Sequence, residues 1–125
     1  MANLIDQAFF DRLNALNDKF AASVPATMAR LRGLRDAFDA AAPDPAVIGE
    51  LHQALHTIAG SAATFGFRVL GQEARTLEQR LRVLMAFETI APADWERWLA
   101  DLTTYIAWGE ADPRAEQFGA GDQLQ

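Results

Sequence analysis

The 125-residue chain contains no cysteine. Disulfides and thiolate metal sites are therefore excluded, and the composition fits a reducing compartment. No apolar run approaches the length of a membrane span. No basic segment leads into an apolar stretch as a secretion signal would, so a cytoplasmic location is expected. Basic charge is scarce: eleven Lys and Arg face seventeen Asp and Glu, for a net charge of −6. That balance argues against a nucleic-acid partner, and the missing span argues against a membrane one. Strand-type alternation is absent. So are a phosphate-binding glycine loop, a dinucleotide turn and a Ser/His/Asp set, and no independent catalytic site is expected.

What is there is helical periodicity, and the reading is all-α. Ile5, Phe9, Leu13, Leu16 and Phe20 are spaced four, four, three and four, which predicts a first helix from Leu4 to about Ala22. Ser23 is the expected cap of a second helix, with Pro25 in its first turn and Val24, Met28, Leu31, Leu34 and Phe38 inward. Phe9 and Phe10 are expected to close the open end of the bundle. Asp44 caps a third helix that Pro45 opens and that runs to about Thr64, with Gly66 as its stop. A fourth helix turns Val69, Leu70, Ala74, Leu77, Leu81 and Leu84 inward. Pro92 opens a fifth, with Trp95, Leu99, Leu102 and Ile106 buried and Trp98 or Tyr105 flanking. Short connections make neighbours antiparallel, so the expected fold is an antiparallel four-helix bundle with an additional N-terminal helix. Residues 1–108 form that domain, and 109–125, aperiodic and rich in Gly, Asp and Gln, form a flexible tail or linker.

The informative stretch is 51–67. Leu51, Leu55, Ile58, Ala62 and Phe65 form one stripe, and His56 lies about 100° round from Leu55, on its flank. Gly60 lies one turn above His56 and costs about 1 kcal/mol relative to Ala inside a helix. It leaves bare helix beside an imidazole, where a partner protein can approach closely. Across the tight turn near Gly66-Phe67, residues equidistant from it should lie side by side. That places Glu78 within reach of His56, Arg75 opposite Ala59 and Arg82 opposite His52. A carboxylate accepting Nδ1–H would fix the tautomer of His56 and turn the Nε2 lone pair outward.

The run from His56 to Gly66 resembles the signature of histidine-containing phosphotransfer (HPt) domains: His, two residues, Lys, Gly, five residues, Gly. Ala63-Thr64-Phe65-Gly66-Phe67, with Val69-Leu70 after it, is similar to the version at the N-terminus of chemotaxis histidine kinases. Leu77-Glu78 sits where those domains keep the glutamate that orients their histidine. The family's lysine is Ala59 here. The resemblance implies a bacterial phosphorelay in which His56 is the phosphoacceptor and Glu78 its orienting group. The partners would be a histidine kinase and a response-regulator receiver domain. No cofactor of the chain's own is implied, since the partner brings Mg²⁺. Arg75, with Arg82 one turn away, is the expected substitute for the missing ammonium beside the phosphate. Gly60, Ala59 and His52 are expected at the phosphate or partner surface.

Other classes stay open on the residues alone. A docking module that takes no phosphate would carry the same helices. His52 and His56, four apart, have the spacing of a two-histidine metal site, but no glutamate follows His52 as in the zincin motif. No metal ligand is assigned.

Overall fold

The computed structural model describes residues 2–118, the side chains from residue 6 onward. Among them are four helices, α1 (Ala2–Asp36), α2 (Pro45–Ser61), α3 (Arg68–Met85) and α4 (Pro92–Ala111), and one 3-10 turn at Ala63–Phe65. Each helix packs on two others, closing a ring α1–α2–α3–α4. Met28, Leu31, Leu51, Leu55, Leu81, Leu102 and Ile106 fill its centre with no exposure.

The expected break at Ser23 does not occur. α1 runs unbroken through Pro25, so the additional N-terminal helix is the first part of α1 itself. The apolar positions Leu13, Leu16, Phe20, Val24, Met28 and Leu31 keep helical register across the proline, so a break there would have split one continuous stripe. The Ser23 hydroxyl that was to cap a new helix bonds backward instead, as does that of Thr27. Ser23 donates to the Phe20 carbonyl at 2.6 Å and Thr27 to that of Ser23 at 3.1 Å. Tertiary packing along the stripe offsets a proline cost of about 3 kcal/mol. At a rise of about 1.5 Å per residue, α1 is roughly 52 Å long and α3 roughly 27 Å, so α1 outreaches its neighbours. Phe9 and Phe10 therefore close nothing. They pair edge to face at 5.6 Å, each about half exposed.

α2 starts as its sequence dictates, with the Asp44 side chain accepting from the Ala46 amide at 2.9 Å and Pro45 in the first turn. It ends at Ser61, short of Thr64, because the chain tightens into the 3-10 turn. The Ala62 carbonyl accepts from both Phe65 and Phe67 amides. Gly66 follows with φ +90°, the left-handed region, and reverses the chain into α3. Nothing lies within 4 Å of where its Cβ would stand, so only the backbone resists a side chain there. Gly66→Ala is expected to lower stability by about 1–2 kcal/mol, read as a lower urea midpoint with an unchanged slope. Past the turn α2 and α3 come close: a Cβ on Gly71 would stand 3.3 Å from that of Ala62.

α4 departs from expectation twice. Trp98 and Tyr105 do not flank the core but fill it. Their polar tips are satisfied by α3 carbonyls, the indole N–H on Leu77 at 3.0 Å and the phenol on Leu70 at 2.9 Å. The boundary placed at 108/109 also falls inside α4. Gly109 is buried, the spot for its Cβ 2.7 Å from the Met28 sulfur, so α1 and α4 touch there. Residues 112–118 fold back: Phe118 packs on Trp108 at 5.3 Å, whose indole N–H donates to the Gln117 carbonyl, and Arg114 lies 4.7 Å over the Phe67 ring. The remainder of the expected tail, 119–125, lies outside the described residues.

Candidate functional site

The α2–α3 hairpin pairs residue 56 with 78, 59 with 75 and 62 with 71, the pattern of two antiparallel helices counted from one turn. The stripe of α2 anchors this register through buried Leu51, Leu55, Ile58 and Ala62, and that of α3 through Leu70, Ala74, Leu77 and Leu81. Both helices then present their flanks side by side.

His56 Nδ1 lies 3.1 Å from Glu78 Oε2. The His56 side chain is 62% exposed and that of Glu78 only 2%. The imidazole therefore stands in water with one nitrogen tied to a carboxylate beneath it. Arg82, one turn along α3, donates to the same Oε2 at 2.8 Å. Burial pushes the Glu78 carboxyl up. Hydrogen bonds from Arg82 and His56, and their charges, push it down by more, so it lies below its ordinary value of 4.5. Glu78 is thus ionised at neutral pH and can only accept. Nδ1 of His56 accordingly carries the ring proton, and Nε2 keeps its lone pair toward solvent.

Arg75 reaches back across the hairpin, its guanidinium donating to the Ala59 carbonyl at 3.2 Å. Ala59 itself is buried, and Gly60 is exposed with nothing within 4 Å of where a Cβ would stand. Arg82 does come opposite His52, as equidistance predicts, but through Glu78. His52 Nε2 lies 3.2 Å from Glu78 Oε2, with its side chain 27% exposed. The surface position expected for His52 is therefore wrong for its Nε2, which is turned inward. The signal was available, since a residue four before His56 occupies the same helix flank. Among the described residues no group of three His, Cys, Asp or Glu side chains is placed to hold a metal ion.

An apolar groove of about 380 Å³ runs between α1 and α2, lined by Phe20, Val24, Thr27, Thr57, Ile58 and Phe65. No helix among the described residues is long and apolar enough to cross a membrane.

The helical bundle thus holds one imidazole in water on a buried carboxylate. A family model described as Hpt domain matches residues 12–108. The chain belongs to the Hpt domain family, and membership places it in two-component phosphotransfer. Comparison with curated proteins gives no match, and comparison with solved structures gives none.

Proposed function

We propose that the protein is a phosphorelay intermediate that takes a phosphoryl group on His56 Nε2 and passes it to a response-regulator aspartate. The observation that carries this reading is the exposed His56 ring on the ionised, buried Glu78. The Nε2 lone pair forms the N–P bond as the bond from phosphorus to its donor oxygen, on ATP bound to a kinase or on a receiver aspartate, breaks. The Nδ1 proton stays on the ring, held by Glu78. In the onward step an aspartate oxygen bonds phosphorus, the N–P bond breaks and the imidazole is restored. The kinase or receiver supplies Mg²⁺ and the in-line geometry.

The groove between α1 and α2, which Thr57 lines, supports docking of both partner types there, with its apolar residues supplying most of the contact energy. The resemblance at Thr64–Phe67 supports a bacterial, cytoplasmic pathway of the chemotaxis type. Arg75 and Arg82 stand in for the ammonium that Ala59 cannot supply. Arg75→Ala is expected to slow phosphorylation and shorten the phosphohistidine lifetime by about twofold to fivefold, the reach of an exposed charge pair. Unchanged rate and lifetime would remove Arg75 from that role.

Ala59 favours a second reading, a docking module for a kinase or receiver that takes no phosphate. Incubation with a panel of phosphorylated kinases and receivers, followed by acid treatment, separates the two. Acid-labile, alkali-stable label supports the relay, and binding without any label supports the docking module.

A further inference from the structure

His52 has no part in the chemistry proposed above, yet its ring faces the group that orients His56. His52 Nε2 is wholly buried and stands 3.2 Å from Glu78 Oε2, off the line of a well-formed hydrogen bond. The two approaches to Oε2 therefore differ: His56 makes a proper hydrogen bond, and His52 makes a close but misaligned contact. The His52 and His56 rings lie nearly parallel, 13° apart in plane, with centroids at 6.2 Å. Oε2 thus sits between two imidazoles from α2 on one side and the Arg82 guanidinium from α3 on the other.

We propose that His52 is a positioning residue for the phosphoacceptor, acting through Glu78; the proposal rests on the reading of His56 above. A buried ring nitrogen beside an anionic oxygen must carry its proton, because two lone pairs facing each other away from water repel. His52 Nε2–H therefore sets its positive end beside Oε2, at an angle short of a full hydrogen bond. It also fills the space through which water would otherwise reach that oxygen. With His52 in place the carboxylate stays against His56 Nδ1. Without it, water hydrates Oε2 and the carboxylate swings toward Arg82. The tautomer of His56 is then no longer held, and part of the population carries its proton on Nε2, where it cannot attack phosphorus.

The test uses the whole chain, uniformly ¹⁵N-labelled, at about pH 8, where a free imidazole is neutral. Two-bond ¹H–¹⁵N spectra report which His56 nitrogen is protonated. Phosphoramidate, a small P–N donor, gives a labelling rate with no partner protein: Nε2 bonds phosphorus as the P–N bond breaks and ammonia leaves. His52→Ala is expected to mix the His56 tautomers and slow labelling by about threefold to tenfold, at or below the low end for losing a supporting partner of a reactive group. His52→Gln, which keeps an N–H at that position, is expected to restore the Nδ1–H tautomer and more than half of the rate. The proposal is overturned if His52→Ala keeps the wild-type tautomer. It is also overturned if Ala and Gln slow labelling equally with the tautomer unchanged, since that would mean packing alone. Should wild type take no acid-labile phosphate from any donor, the acceptor reading fails, while the tautomer spectra still decide the role of His52.

Discussion

His56→Gln is expected to abolish acid-labile phosphoryl labelling while leaving the helical bundle intact. The side chain is 62% exposed, so its loss opens no cavity in the core. What disappears is one hydrogen bond to Glu78 and the stack on His52, and the stability change should stay within about 1 kcal/mol. Circular dichroism and the urea midpoint check that half of the expectation. The chemical half is categorical. A glutamine amide nitrogen has its lone pair delocalised into the carbonyl and cannot form the N–P bond, and His52 has its Nε2 enclosed. Label persisting in the variant at more than a few hundredths of the wild-type amount would move the acceptor to another residue.

Glu78→Gln is expected to slow labelling by about 10- to 100-fold, the usual effect of removing the carboxylate behind a working histidine. The amide has nearly the same shape, so the core of α3 should be undisturbed. It has one accepting atom and no charge, however, and faces Arg82, His56 and His52 together. The same variant carries a pH signature. Because the folded carboxyl of Glu78 lies below 4.5, the unfolded chain takes up that proton first as pH falls. The stability Glu78 contributes is therefore complete above about pH 4.5 and declines as pH drops through the lowered folded value. The gap in urea midpoint between wild type and Glu78→Gln should narrow as pH falls below 4.5. A gap that widens toward acid would reverse the sign of the Glu78 shift.

The His56–Glu78 pair was legible because it follows from two local facts. Each residue sits next to a stripe leucine, and each lies about as far from Gly66 as the other, so an antiparallel hairpin must bring them together. Asp44-Pro45 and Pro92 marked helix starts for equally local reasons. Other features depended on what lies across space. Pro25 reads as a helix start by propensity, but the stripe from Leu13 to Leu31 continues through it, and packing overrides the local signal. Tyr105 and Trp98 look amphipathic in sequence, and only the α3 carbonyls of Leu70 and Leu77 make their full burial affordable. The fold-back of 112–118 has no periodicity to betray it; it rests on Phe118 meeting Trp108 and Arg68 meeting Glu116. The depth of Glu78 was likewise invisible, since a carboxylate with Arg82 four residues on reads as an ordinary surface pair.

The most direct measurement is ¹H, ¹⁵N and ³¹P NMR of the chain after charging by phosphoramidate or a phosphorylated partner. Phosphorus coupled to Nε2 of His56, with the proton still on Nδ1, is the result expected of a ring held by Glu78. Phosphorus on Nδ1, or on any other residue, would contradict it.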